Sequence, residues 1–363
     1  MLPAHEKKFL HALLACGIEY DALQKIASAF PSFEAAWRAD VSVLTAAGLS
    51  EELASRLAAA PSHINPDEEM RKLVSQDIAL VTADESEFPT ELRDIASPPL
   101  ALYIKGRVKG GMPRLAVVGT RKATAYGREA TKKIIRDVAD ETDIAIVSGL
   151  AQGIDTEAHR AAIASGLPTI GVLGSGMDRE SLFPPENWPL AEEIVAKDGA
   201  IISEYPPGTP ALPHHFPARN RIIAGLALGV LVVEAPERSG ALITARFALE
   251  QGREVFAVPS QLFSPNAIGT HRLIQDGAKL VTAAGDVIDE LRLPRRSREE
   301  KAQTLLTDET ERTILGLLGE PANVDELKER TRLPTPQIIS CLSLLELKGF
   351  IRPMGQNRFQ RIA

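Results

Sequence analysis

The sequence predicts an α/β protein: an extended Rossmann-like parallel sheet core, with a small all-α N-terminal domain and a C-terminal winged helix-turn-helix domain. Three observations predict it. Residues 1–75 carry Ala and Leu at three and four spacing, broken into short helices by Gly17, Pro31, Gly48 and Pro61. Across residues 76–292, short continuous apolar runs alternate with amphipathic stretches, the pattern of parallel strands covered on both faces. Residues 306–363 read as three helices followed by a short basic ribbon.

The N-terminal helices are expected at residues 6–15, 21–29, 33–39, 41–46 and 51–59. Leu44 to Ser50, with Ala54 and Leu57, resembles half a helix-hairpin-helix, although a plain bundle in which Gly48 ends a helix accounts for the same residues. In the core, strands are expected at 115–119, 144–148, 169–173, 200–203, 230–234, 255–258 and 279–282, with helices at 128–140, 156–165, 190–197 and 242–251. Residues 293–305 are charged, lack apolar periodicity and read as a linker. Helices then follow at 308–318, 324–331 and 335–347, and the ribbon at 350–359.

Composition sets limits. The chain has 363 residues, 44% of them hydrophobic and 25% charged, which is ordinary for a globular protein. Cys16 and Cys341 stand at opposite ends, too few for a disulfide framework or a Cys-rich metal site, and they favour a reducing compartment. No signal peptide is read at the N-terminus, and the longest apolar run, residues 222–233, is too short to span a bilayer, so a cytoplasmic location with no membrane partner is expected. The net charge of −7 excludes a global positive field, so nucleic acid binding would need a local basic patch.

In parallel sheets ligands bind where strands end and loops enter helices. The first such loop, Gly119-Thr120-Arg121-Lys122, combines a glycine, a hydroxyl and two cations ahead of a helix, which suits a phosphate. It lacks Gly-x-Gly-x-x-Gly, and the chain has no P-loop. The next strand runs into Ser148-Gly149-Leu150-Ala151-Gln152-Gly153, small residues that expose backbone N–H groups. Asp155 and His159, four apart, read as a helix cap and a packed histidine in preference to a metal or acid/base pair. Gly174-Ser175-Gly176 offers a further permissive turn. Among these loops, His214-His215-Phe216-Pro217-Ala218-Arg219-Asn220-Arg221 sets an aromatic beside two arginines, as proteins do when they hold unstacked bases. The arginines would equally well pair with Glu204 or Glu234, and a metal site on His214 and His215 lacks an evident third ligand. Arg238 and Ser239 open another helix, with Ser239 placed to cap it. No catalytic residue, cofactor site or metal site stands out.

Val117-Val118-Gly119-Thr120-Arg121, Ser148 to Asp155 with Ala158-His159, Phe216 to Leu226, and Glu234-Ala235 with Ser239 to Ala245 resemble, in order and spacing, the DprA (Smf) family of bacterial DNA-processing proteins over about residues 80–290. The resemblance implies a non-enzymatic protein, usually a homodimer, that binds single-stranded DNA and loads the RecA recombinase on it during natural transformation. By motif match it implies DNA contact at Gly119, Thr120, Arg121, Phe216, Arg219 and Arg221, and further at Ser148, Gly149, Arg238 and Ser239. The dimer surface is expected around His271, Leu273 and Ile274. Two departures, Phe88 for a tyrosine and Ser260 for a glycine, read as structural. The expected recognition helix, 335–347, has no basic residue, which favours protein over DNA as the ligand of the C-terminal domain. The competing functions are an enzyme of the nucleotide-phosphoribohydrolase type, whose triple-glycine loop is absent at residues 237–244, and a scaffold without DNA binding.

Overall fold

The computed structural model describes residues 2–296, 309–355 and 357–362. Residues 297–305 of the expected linker, the start of the expected C-terminal domain at 306–308 and Gln356 of the ribbon lie outside the described residues. The chain divides into two compact units, Met1–Leu293 and Pro294–Ala363.

The first unit opens with helices α1 (Ala4–Ala15), α2 (Tyr20–Ala29), α3 (Phe33–Trp37), α4 (Val41–Ala46), α5 (Glu51–Ala59) and α6 (Pro66–Ser75). Helix α6 is an addition to the expected set. Asn65 caps it and Pro66 starts it, while Leu73 is its one fully buried residue, so its apolar signal is faint. Gly48 ends α4 at φ +88°, where its carbonyl accepts from Lys25 Nζ at 2.9 Å. These helices share a core with one side of the sheet, through residues such as Leu13, Ile26, Tyr103 and Ile201. His11 Nδ1 and the Tyr103 hydroxyl meet there at 2.8 Å.

The sheet carries β1 (Ile78–Thr82), β2 (Ala101–Gly106), β3 (Arg114–Val118), β4 (Ala145–Ser148), β5 (Thr169–Leu173), β6 (Ala200–Ser203), β7 (Gly229–Val232), β8 (Glu254–Ala257) and β9 (Lys279–Leu280). Helices α7 (Ala125–Glu141), α8 (Ile154–Ala164), α9 (Trp188–Ala196), α10 (His215–Leu226), α11 (Gly240–Glu250), α12 (Ile268–Gln275) and α13 (Ala284–Glu290) connect or follow the strands. Strand order is β1-β2-β6-β5-β4-β3-β7-β8-β9. From β6 to β9 every pairing is parallel. Alternation along β3 shows why these runs are continuously apolar: Ala116 and Val118 face one core, Leu115 and Val117 the other.

The expected parallel sheet is extended by an antiparallel edge. Strand β2 pairs antiparallel with both β1 and β6. The segment between β1 and β2 holds no α-helix, so the chain returns directly and the strands oppose. Each strand is short, and the proline-bearing segment between them, with Pro89, Pro98 and Pro99, carries no α-helix, so the alternation of strand and helix that marks the rest of the sheet is missing here. Phe88, one of the two family departures, is buried in the core beneath this edge.

The second unit comprises α14 (Glu309–Leu317), β10 (Ala322–Asn323), α15 (Val324–Thr331), α16 (Thr335–Leu347), β11 (Ile351–Pro353) and β12 (Arg358–Arg361). The three strands form a sheet in the order β10-β12-β11, giving the winged-helix arrangement. Helix α16 buries Ile338, Cys341, Leu342 and Leu345 and exposes Ile339, Leu344 and Leu347. On the wing, Arg358 pairs with Glu326 at 3.0 Å. Among the described residues of the chain no helix is long and apolar enough to cross a membrane.

Candidate functional site

The chain leaves β3 toward β4 on one side and β7 toward β8 on the other, so the sheet reverses its winding between β3 and β7. Such a switch point leaves a crevice beyond the strand ends. A cleft of about 610 Å³ occupies it, bordered by Thr120, Arg121, Phe216, Arg219, Arg238 and Ser239 among others.

Several hydrogen bonds hold the β3–α7 loop in place. Thr120 N–H donates to the Glu234 carbonyl at 2.7 Å, and the Thr120 carbonyl accepts from Ile154 N–H at 3.2 Å. The buried Glu234 carboxylate accepts from Thr124 N–H at 2.9 Å, so it is spent on this loop and pairs with neither arginine. Gly119 serves close packing: a Cβ there would lie 2.5 Å from Ile154 Cγ1 and 2.9 Å from the Glu234 carbonyl oxygen. What the loop presents outward is Arg121. Its guanidinium lies 5.2 Å from the centre of the Phe216 ring. Phe183 completes an aromatic pair with Phe216 at 5.9 Å. Phe183, exposed in the loop after β5, was not legible as a site residue, because its exposure shows only in the structure. Arg121 and Arg238 are both exposed, and neither donates to another described residue.

The segment expected as a loop, residues 214–221, is the start of α10. Pro217 fits the first turn, where its missing N–H has no partner to lose. This corrects the geometry of the two arginines. Positions two apart on a helix point to opposite sides. Phe216, Arg219 and Asn220 therefore border the cleft, while Arg221 turns away. Arg221 forms an ion pair with Glu204 at 2.7 Å and lies 5.3 Å from the Tyr20 ring centre, against the N-terminal helices.

Arg219 lines the cleft with only 4% of its surface exposed. Its Nη1 donates to the carbonyls of Gly149, at 2.8 Å, and Val172. Burial lowers its pKa to about 10, with Asp155 pulling upward, so it stays charged at neutral pH. The Asp155 carboxylate accepts from Gly149 N–H at 3.1 Å. Burial pushes this carboxyl up to about 6, against the downward pull of Arg219. Gly149 is small because a Cβ would meet Arg219 Nη2 at 2.6 Å and Asp155 Oδ2 at 2.7 Å. Its N–H is therefore occupied and does not reach the cleft. Ser148 is fully buried and donates to the Val117 carbonyl at 2.6 Å, so it braces two strands and is also outside the cleft. Ser239 lines the cleft and caps α11, accepting from Ala241 N–H at 3.3 Å.

His159 is buried with no carboxylate partner. The Thr169 hydroxyl donates to the Ile146 carbonyl, so it accepts from His159 Nδ1–H at 2.7 Å. Burial, then the charge of Arg219, lowers the pKa of His159 to about 3. A folded pKa depressed below the ordinary 6.5 gives stability that is complete above that value and lost as pH falls toward 3. His159→Gln should therefore flatten the fall in urea midpoint between about pH 6.5 and 4, a window in which one such group contributes up to about 1.4 kcal/mol per pH unit. Asp155, raised, acts in the opposite sense over part of this window. An unchanged slope in the variant would refute the assignment.

His214 and His215 do meet a third donor that the sequence did not bring out. Glu19, from the start of α2, reaches His214 Nε2 at 3.1 Å and His215 Nε2 at 3.8 Å. Of the expected dimer residues, His271 Nε2 contacts the Ser260 carbonyl at 3.1 Å, and Leu273 packs partly against the core beneath it.

Fold and cleft together define a Rossmann-like α/β protein with a ligand crevice at its switch point, carried on the same chain as a winged-helix unit. The chain belongs to the DNA recombination-mediator protein A family, whose model matches residues 79–292, and residues 298–357 match the DprA winged helix domain. It is 45% identical over 204 residues to the DNA processing protein DprA of Streptococcus pneumoniae, covering 56% of this chain and 71% of the relative. The solved structure of DprA from Streptococcus pneumoniae superimposes with a TM-score of 0.66 at 34% identity, covering 80% of this chain and 99% of that one. A DprA structure from Helicobacter pylori, described for its single-stranded DNA binding mode, gives a TM-score of 0.52 at 28% identity, with 59% and 95% covered.

Proposed function

We propose that the cleft binds single-stranded DNA and that the protein delivers that strand to the RecA recombinase in natural transformation, without catalysing a reaction on it. The observation that carries this reading is the exposed Arg121 guanidinium over the Phe216 ring, with Phe183 beside it. Such an arrangement offers a stacking platform for unpaired bases and a cation for their phosphate. The amino-terminal turns of α10 and α11 border the same cleft and add the partial positive charge of their free N–H groups. Gly119, Thr120, Arg219, Arg238 and Ser239 shape or line the contact surface, whereas Ser148, Gly149 and Arg221 support it from behind. The Helicobacter pylori relative, described for its single-stranded DNA binding mode, supports the ligand class.

The dimer is part of this proposal. Leu262, Phe263 and Ile268 are exposed on the approach to and start of α12, with Phe263 94% exposed, next to His271, Leu273 and Ile274. A second copy of the chain would cover this apolar face.

The test is fluorescence anisotropy with a labelled single strand and its duplex over a salt series, with sedimentation velocity on the same samples. Tighter binding to the single strand is expected, with log affinity falling by about 0.7 per phosphate contact per decade of salt, and a dimeric protein. Equal affinity for duplex, or a monomer at high concentration, would overturn the corresponding part. Release of free base from a nucleoside monophosphate would overturn the non-enzymatic reading.

A further inference from the structure

A second depression, of about 300 Å³, adjoins the cleft and shares Arg121 with it. Its other principal borders are Lys122, Arg128, Gln152, Gly153 and Arg160. The lining sets four exposed cations against the carboxylate of Glu157. On a chain of net charge −7 this is a concentrated positive surface. Glu157 is shared between Arg160 at 3.8 Å and Lys132 at 4.0 Å, so it neutralises the shelf only in part. Arg128 gives one Nη1 hydrogen to the Ala123 carbonyl at 2.7 Å and leaves the rest of its fork to solvent.

A second observation points to an anion independently of these side chains. The backbone N–H groups of Gln152 and Gly153 have no acceptor among the described residues. They directly precede α8, whose Ile154 and Thr156 N–H groups are already committed to the carbonyls of Thr120 and Ala151, so the free donors here are those of Gln152 and Gly153. Successive free N–H groups ahead of a helix make an anion concavity. The shelf also differs from the cleft in having no aromatic in its lining. It can hold a sugar–phosphate backbone but offers no face on which a base would stack.

We infer that a DNA strand whose bases stack in the cleft continues past Arg121 onto this shelf, where Arg128, Arg160 and the Gln152–Gly153 N–H groups take its next phosphodiesters. This rests on the reading of the cleft as a single-strand site. Arg121 is the pivot, with base-side contact through Phe216 on one flank and backbone contact on the other.

The experiment compares the parent, Arg128→Ala/Arg160→Ala and Arg121→Ala, in binding oligothymidylates of about 4 and about 14 nucleotides, spanning the range of single-strand site sizes. The double variant should bind the long strand about tenfold more weakly, with a salt slope shallower by about 1.4, corresponding to two lost phosphate contacts. Its affinity for the short strand should match the parent. Both side chains are exposed, and Arg128→Lys/Arg160→Lys should restore most of the long-strand affinity, which separates charge loss from misfolding. If the double variant binds both lengths like the parent while Arg121→Ala is weakened, the shelf is refuted and the cleft stands. If neither variant is weakened, the cleft reading falls with it.

Discussion

Replacing Arg219 by methionine should lower the unfolding free energy by about 2–6 kcal/mol, at about 1–3 kcal/mol for each of two buried carbonyls left without a donor. The guanidinium is buried under the cleft and donates to the carbonyls of Gly149 and Val172. Its positive charge also offsets the Asp155 carboxylate on the far side of Gly149. Methionine fills similar volume, so the loss is of donors and charge more than of packing. Two carbonyls and an uncompensated carboxylate remain behind. The effect should depend on pH in a defined direction. Asp155 titrates near 6 in the folded protein, above its ordinary value of 3.8, so stability is lost as pH rises from about 3.8 and the loss is complete above 6. Without Arg219 that loss grows, and the deficit of the variant should be largest above pH 6 and smaller below it. Adding Asp155→Asn should recover part of the loss, and urea denaturation of the four proteins in a double-mutant cycle measures the coupling. If Arg219→Met unfolds like the parent yet loses DNA, Arg219 is a ligand contact and not a strut.

Phe216→Ala should weaken single-stranded DNA binding by about 1–3 kcal/mol, the range for losing one base-stacking platform, while leaving salt dependence nearly unchanged. The ring is half-buried between Arg121 and Phe183, so truncation removes the stacking face and also the surface that orients the guanidinium. Phe216→Trp should retain binding, because a larger aromatic face serves the same purpose. Arg121→Ala is expected to differ in kind. It removes a phosphate contact, so its salt slope becomes shallower by about 0.7. Anisotropy titrations at several salt concentrations distinguish the two. Parent-like binding by Phe216→Ala would show that bases do not stack there.

Much of this was legible in the chain. The strands from β3 to β8 are largely apolar runs because both faces are covered, and their helices declare themselves by buried positions at helical spacing, as in Ile134, Ile135 and Val138 of α7. Strands β1 and β2 were hidden because each is short and no α-helix separates them as in the rest of the sheet, and α6 because it buries little. Within the site, Arg121, Phe216, Arg238 and Ser239 were found from loop position, and all border the cleft. Phe183 was missed, since nothing local in its loop distinguishes it from a packing aromatic.

Residues 214–221 and the loop at Gly119-Thr120-Arg121 show where sequence alone stops. Residue types and their order determined an α/β core, the loops that end its strands, and the chemistry suited to a phosphate and an unpaired base. They did not determine direction. That Arg121 reaches Phe216, that Arg219 turns inward to Asp155 and that Arg221 turns to Glu204 depends on α10 beginning at His215 and on which elements surround it. A charged side chain near a strand end is equally suited to a ligand or to a buried carboxylate. Only packing decides which it meets, because the carboxylates that claim these arginines lie on segments remote in the chain.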